Sequence, residues 1–306
     1  MFFPEFNCKN GVLLVDKPSG LSSNNVLQKI KKLFSIKKAG HTGSLDPLAT
    51  GMLPICFGEA TKFAQYSINS DKCYRVIAKL GESTTTFDSD GRITKTRSII
   101  FTDNEFERAL NRFKGKIKQL PPLYSAIKYK GIPSYKYARK GIYIPRIDRI
   151  VMVYQLKCIN RSKNFFELEI KCSKGTYIRT IIDDLGEVLG CGAHVTLLRR
   201  LQVGCYPVSK MIAFNTLYSL TKKNNLILKK NISDFLMPVD SPIASFPKIS
   251  ISGEVAVFFK KGQEIQYFHN YKNQLVRVME EKKFIGLGKS YNHSCVKPIR
   301  LLSNIK

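Results

Sequence analysis

The stretch Phe165–Gly190, FFELEIKCSKGTYIRTIIDDLGEVLG, changes its hydrophobic period halfway. From Phe166 to Cys172 apolar and polar residues alternate, the pattern of a strand with one buried face. From Ile178 onward, Ile178, Ile181, Ile182, Leu185, Val188 and Leu189 return every three or four positions, and Gly190 stands where a helix ends. The linking SKGTYIR has no period, so a strand passes almost directly into a helix. Arg179 thereby falls in the first helical turn, a frequent place for functional side chains and an equally ordinary place for a surface arginine.

Outward from this unit the two periods keep mixing, which gives an α+β class. Residues 150–173 read as two strands, and Cys73–Leu80 (CYRVIAKL) as another. The run Gly11–Asp16 (GVLLVD) reads as a buried strand that stops at the turn Lys17-Pro18-Ser19-Gly20. A helix is predicted from Ser22 or Ser23, with Val26, Leu27, Ile30, Leu33 and Phe34 on one face. The tract TTTFDSDGRI is turn-rich, and Asp103 is expected to cap a short helix carrying Phe106, Leu110 and Phe113.

Residues 121–149, PPLYSAIKYKGIPSYKYARKGIYIPRIDR, interleave Tyr with Lys and Arg between glycines and prolines and read as an inserted arm. Tyrosine rings can stack on bases while cations meet phosphates of an irregular RNA; tyrosines covering a sheet edge give a similar pattern. Near the other end, LMPVDSPIASFPKIS reads as a linker. The pieces EVAVFF, LVRVME and KFIGLGK beyond it suggest a small all-β module.

Lys and Arg number 50 against 23 Asp and Glu, a formal net charge of +27 over 306 residues. Such a surface favours a polyanionic partner, nucleic acid first, although A/T-rich coding by itself enriches lysine. The eight cysteines, Cys8, Cys56, Cys73, Cys158, Cys172, Cys191, Cys205 and Cys295, are scattered and form no C-x-x-C pair. They are expected to be reduced, semi-buried thiols rather than metal ligands or a disulfide framework. No run has the length of a membrane span, and MFFPEFNCKN lacks the charge and apolar pattern of a leader, so a cytoplasmic protein is expected.

Ala39–Ile55, AGHTGSLDPLATGMLPI, shows neither period and reads as an ordered loop. Its one acid, Asp46, precedes a proline. Proline restricts the residue before it, and Asp bonds readily to nearby backbone, so Asp46 taken alone reads as a turn former.

Five strings in one order carry a resemblance: LLVDKPSGLSSN, AGHTGSLDPLATGMLPICFGEATKF, YRVIAKLG, PPLYSAIKYKG and CSKGTYIRTIIDDLGEVLGCGAHVTLLRR. Over nearly its whole length the chain resembles the bacterial tRNA pseudouridine-55 synthases of the TruB family, and its C-terminal module more weakly resembles their PUA-type RNA-binding barrel. The resemblance implies a pseudouridine synthase fold over residues 1–247, with a mixed, largely antiparallel central sheet flanked by helices and the arm at 121–149. It implies a PUA-like domain over residues 248–306. The implied activity is a monomeric isomerase that uses no cofactor or metal, acts on the T-arm and elbow of tRNA, and requires no protein partner or membrane.

Matched residue by residue, the family's nucleophilic aspartate falls on Asp46, its active-site tyrosine on Tyr74 in CYRV and its arginine on Arg179 in GTYIR. The histidine that helps hold the opened T-loop falls on His41, and Tyr177 and Leu198 match positions lining the uridine pocket. Lys17 and the arm residues Tyr124, Lys128, Lys130, Arg139 and Lys140 are expected to contact RNA. Thr85 stands where the family usually has an acid, while Asp88 and Asp90 remain.

The implied chemistry fits one carboxylate. An ordinary glycosidase needs a second carboxyl group for its leaving group or its water. Uracil leaves as a delocalised anion and is recaptured through C5, so water has only to be excluded. Asp46 can then serve as nucleophile at sugar or base, or as the base that starts an elimination. Two other readings stand beside this one: a tRNA-folding chaperone that opens the elbow independently of catalysis, and a related synthase directed by guide RNA.

Overall fold

The structure, a computed structural model, describes residues 10–222, 235–291 and 293–303. Cys8 and the stretch weighed as a leader lie outside the described residues. Ten strands share one sheet: β1 (Gly11–Lys17), β2 (Ala39–His41), β3 (Thr50–Phe57), β4 (Lys72–Leu80), β5 (Gly115–Gln119), β6 (Arg149–Arg161), β7 (Phe165–Cys172), β8 (Ala193–Val203), β9 (Ile212–Ala213) and β10 (Leu236–Met237). Their order is β9-β1-β3-β8-β4-β7-β6-β5, with β10 added to β1 and β2 to β3. Pairing is parallel at β1–β9 and β3–β8 and antiparallel elsewhere, as expected for a mixed, largely antiparallel sheet.

The helices packed on it include α1 (Ser23–Leu33), α2 (Asp103–Asn111) and α3 (Ile178–Val188). Leu13 and Val15 of β1 bury against Val26, Leu27 and Ile30 of α1, while Val12 and Leu14 enter a separate cluster with Met52, Cys56 and Val203. Both faces of β1 are covered, which is why GVLLVD is apolar without alternation. On the β4–β7–β8 half, Val76, Leu168, Ile170 and Leu198 pack with Phe106 and Leu110 of α2 and Ile181, Ile182 and Leu185 of α3.

Several expectations need correction. Ser22 caps α1, accepting the Asn25 N–H at 3.1 Å, but α2 is capped by Thr102 rather than Asp103. Thr102 accepts the Glu105 N–H while Glu105 accepts the Thr102 N–H at 2.7 Å, a reciprocal box that satisfies two end donors. The segment 39–55 is also more than a loop. Its ends are strands β2 and β3, paired antiparallel, and only residues 42–49 run between them.

β3 is a divided strand. On the side away from β1 it pairs with β2 through Ile55–Phe57 and with β8 through Thr50 and Gly51. Between these contacts Met52–Pro54 face a gap. The Met52 carbonyl takes Arg200 Nε at 2.7 Å, and the Pro54 carbonyl takes the Thr42 N–H at 3.0 Å. A strand residue's N–H and C=O leave on the same side, so the donor that Pro54 lacks also faces the gap and the ladder to β1 loses nothing. Gly51 permits the approach of β8: its φ is +100°, and a Cβ there would lie 2.2 Å from the Arg200 carbonyl oxygen.

The C-terminal sheet comprises β11 (Lys248–Ile251), β12 (Ile265–Gln266), β13 (Leu275–Glu280), β14 (Lys283–Tyr291) and β15 (Cys295–Leu301), ordered β11-β13-β14-β15-β12. The module is not all-β, because EVAVFF lies in helix α4 (Gly253–Lys260). Ala256 and Phe259, three apart, are buried with Val276, Val278 and Ile285, while Val257 and Phe258 stay exposed. The preceding stretch is no loose linker. Ile243 is fully buried with Phe63, Phe284 and Leu287, and Asp240 pairs with Arg277 at 3.0 Å. The seven described cysteines are free thiols.

Candidate active site

Asp46 sits on a loop whose backbone is fastened on both sides. Before it, the Leu45 N–H donates to Ser23 Oγ at 2.7 Å, and the same hydroxyl donates to the Leu45 carbonyl at 3.1 Å. After it, the Pro47 carbonyl accepts the Gly20 N–H at 2.9 Å and Lys17 Nζ at 3.2 Å. Asp46 does make a turn, since its own carbonyl accepts the Ala49 N–H at 3.1 Å, but this leaves its carboxylate free to act elsewhere. The turn residue and the functional residue are the same.

The carboxylate meets Arg179, Nε to Oδ2 at 2.9 Å. Arg179 stands in the first turn of α3, where the change of period places it. Its other two nitrogens are also engaged: Nη1 reaches the Thr86 carbonyl at 2.8 Å and Asp88 at 3.4 Å, and Nη2 reaches the Tyr124 carbonyl at 2.9 Å. One planar fork therefore joins the Asp46 loop, the turn after β4 and the base of the arm. The two acids on it differ in access, with side chains 41 % exposed for Asp46 and 5 % for Asp88. Burial pushes the Asp88 carboxyl up, opposed by a hydrogen bond from Thr86 and the Arg179 charge. Asp46 is thus the carboxylate a substrate can touch.

Tyr74 on β4 pairs with Arg200 on β8, and Leu198 pairs with Val76. Tyr74, Leu198, Leu45, Leu48 and Ala49 belong to one apolar cluster, which places the tyrosine and Leu198 beside the Asp46 loop. Burial pushes the Tyr74 phenol above its ordinary value, while the Arg200 charge pulls it back. His41 ends β2 rather than standing in the loop. Burial, and then the Arg200 charge, lowers its imidazole below the ordinary value, and its Nδ1 is buried without a hydrogen-bond partner among the described residues. Tyr177 precedes α3; Gln119 holds its backbone N–H and C=O, both at 3.1 Å.

Lys17 does not stand where an RNA phosphate can reach it. It is 0 % exposed, and its ammonium donates to the carbonyls of Pro18, Leu21 and Pro47 at 2.8, 2.6 and 3.2 Å. Burial pushes it down to about 8, with Asp46 opposing. Its expected phosphate contact is replaced by support of the Asp46 loop.

The arm leaves β5 at Gln119 and returns at Arg149, which are paired neighbours. Arg146 closes its base by donating to the Pro121 carbonyl at 3.0 Å. Lys128, Lys130, Arg139 and Lys140 are exposed, while Tyr124 is half-buried. Part of the Tyr–Lys texture serves the arm itself: Lys130 lies over the Tyr129 ring, Arg139 over Tyr135, and Tyr129 meets Tyr137 edge-on. Gln119 and Arg200 are site residues that the sequence did not point to. Each acts on backbone groups, and no motif records that.

Comparison with known proteins matches this geometry to one family. Residues 31–178 match the TruB family pseudouridylate synthase N-terminal domain. Residues 179–244 match the tRNA pseudouridylate synthase B C-terminal domain, and residues 247–302 the C-terminal region of pseudouridine synthase II TruB. The chain is 50 % identical to the tRNA pseudouridine synthase B of Buchnera aphidicola subsp. Acyrthosiphon pisum (strain APS), with 99 % of each chain covered. It is 50 % identical to that of Serratia proteamaculans (strain 568), over 96 % of this chain and 95 % of the relative. Among solved structures, a Cbf5-Nop10-Gar1 complex superposes with a TM-score of 0.71 at 23 % identity, covering 97 % of this chain and 84 % of the other. An archaeal box H/ACA Nop10-Cbf5 complex gives 0.72 at 20 % identity, covering 98 % and 92 %. These two show a shared fold, and half of all residues shared with relatives along nearly their full length shows more: the chain belongs to the TruB family of pseudouridylate synthases.

Proposed function

We propose that this chain converts uridine 55 in the T-loop of tRNA to pseudouridine by flipping the base out, breaking C1′–N1 and rejoining C1′ to C5. The observation that carries this reading is the half-exposed Asp46 carboxylate held on the buried Arg179 fork beside Tyr74 and Leu198. In the reaction the C1′–N1 bond breaks, and uracil, stabilised as an anion, turns within the closed pocket. C5 then bonds to C1′, loses its proton, and N1 gains one. Nothing is consumed.

Asp46 takes the part of the nucleophile, oriented by its ion pair with Arg179: its carboxylate oxygen bonds to C1′ as C1′–N1 breaks, and that C1′–O bond breaks again as C5 attaches. Tyr74, kept as a phenol by burial, packs on the uracil and relays the proton at C5. Leu198 and Tyr177 line the pocket, and neutral His41 occupies space vacated by the flipped base. Unstacking costs a few kcal/mol, which phosphate contacts from Lys128, Lys130, Arg139 and Lys140 offset. On this reading residues 1–247 form the catalytic unit and residues 248–306 an accessory RNA-binding unit, working as a monomer in the cytoplasm.

A tRNA-folding chaperone that opens the elbow independently of catalysis is the competing reading. The test is mass-spectrometric mapping of tRNA incubated with purified protein and no cofactor, repeated with Asp46→Asn. We expect pseudouridine at position 55 with wild type, and tRNA binding without product for the variant. Product from Asp46→Asn at near wild-type rate sinks the nucleophile assignment; none from wild type sinks the reading.

A further inference from the structure

Arg200 is the largest fully buried side chain among the described residues, at 1 % exposure. Among those residues no carboxylate lies within 4 Å of its guanidinium, whose buried charge is instead met by neutral oxygens. Nε donates to the Met52 carbonyl at 2.7 Å, Nη1 to Ser44 at 3.4 Å and Nη2 to Gly43 at 3.1 Å. Across the β4–β8 ladder Arg200 stands directly opposite Tyr74, so the two side chains share one face of the sheet. An unpaired buried cation costs several kcal/mol, and packing alone does not call for one, because an apolar side chain would fill the same gap. What the guanidinium supplies is geometry. Its planar fork touches both ends of the Asp46 loop, Gly43-Ser44 at the start and Met52 where the chain has rejoined β3, and its strand position sets it beside Tyr74 on β4.

We propose that Arg200 is a positioning residue of the isomerisation, setting the Asp46 loop and Tyr74 in one fixed relation. The proposal rests on the function proposed above. The same guanidinium repels a proton from His41, whose lowered imidazole is partly its work. Arg200 itself, walled in by the gap in β3, touches no substrate.

Lysine cannot reproduce this fork, since its ammonium is a single point on a stem without a plane. The test takes Arg200→Lys through single-turnover pseudouridine formation with enzyme in excess over tRNA, alongside filter binding. It adds the 13Cζ NMR signal of Tyr74 in tyrosine-labelled protein, assigned with Tyr74→Phe. We expect the rate constant of the reacting fraction to fall about 30- to 100-fold while the tRNA Kd stays within about threefold, because the displaced groups act in chemistry and not in binding. The Tyr74 resonance should move.

A purely structural role would lower the reacting fraction rather than its rate constant. A rate constant within threefold of wild type, an equal loss of affinity, or an unmoved Tyr74 signal each overturns the proposal. If Arg200→Lys does not fold, Arg200→Gln, which keeps a planar donor, takes its place, and failure of both to fold makes Arg200 a folding residue only. Wild type that forms no product refutes the proposed function instead, while the NMR contact is still read.

Discussion

Replacing Arg179 by Lys tests the centre of the site most directly. The guanidinium serves Asp46, Thr86, Asp88 and Tyr124 at 2.8–3.4 Å, on three separate segments. A lysine ammonium keeps the charge and reaches one of these segments, so at least two charge-assisted bonds are lost, about 1.5–3 kcal/mol each. Ser23, Gly20 and Lys17 still hold the Asp46 loop, so we assign about half of that loss, some 1.5–3 kcal/mol, to the transition state, or roughly 10- to 150-fold in rate. Arg179 is only 4 % exposed and meets protein at each side-chain nitrogen, so tRNA affinity should change less than about threefold. The assay follows tritium release from tRNA carrying 5-3H-uridine, with enzyme in excess, beside filter binding on the same tRNA. A rate within threefold of wild type, or a loss of affinity matching the loss of rate, refutes the reasoning.

Two further outcomes follow from charge. Burial, then Asp184 and Glu187, push Asp183 up to about 7, so between the ordinary carboxylate range and pH 7 the folded protein holds a proton that the unfolded chain has released. Stability therefore falls as pH rises through that window. Asp183→Asn should melt above wild type at pH 8, with the difference closing by about pH 4, and an equal shift at both pH values contradicts the assignment. Changing Lys128, Lys130, Arg139 and Lys140 together to Ala should flatten the plot of log affinity against log salt by about 3, and leave the single-turnover rate at saturation unchanged. An unchanged slope removes the arm from the RNA contact.

Where the sequence was legible, local chemistry and tertiary role agreed. The switch of period at Ile178 places α3 and puts Arg179 in its first turn, and the motif strings bring Asp46, Tyr74 and Leu198 to the same site. Misreadings arose where tertiary contacts decide. Thr102 lost to Asp103 in the sequence reading although Glu105 completes its capping box, a signal that was visible. EVAVFF reads as alternating because Val257 and Phe258 are exposed apolar residues on a helix. Lys17 looks like a surface cation after a strand, and only the closure of the Asp46 loop over it makes it a buried donor. Arg200 lies in LLRRL, where every second residue of a strand can face solvent. The gap in β3 turns it inward, and a gap is a property of three strands together.

The fastening of Asp46 also bears on how an RNA is chosen. Leu45 and Pro47 are tied to β1, its following turn and α1, and both ends of the loop are tied to β8 through Arg200. A loop anchored to the core at so many points has no hinge with which to follow a misplaced base. On the proposed function, every ångström of adjustment must come from the nucleic acid, and its energetic cost becomes a property of the loop being bent. Stiffness in the protein then acts as a selector: RNAs that yield a base cheaply are processed, and those that resist are released unmodified, without any side chain reading their sequence.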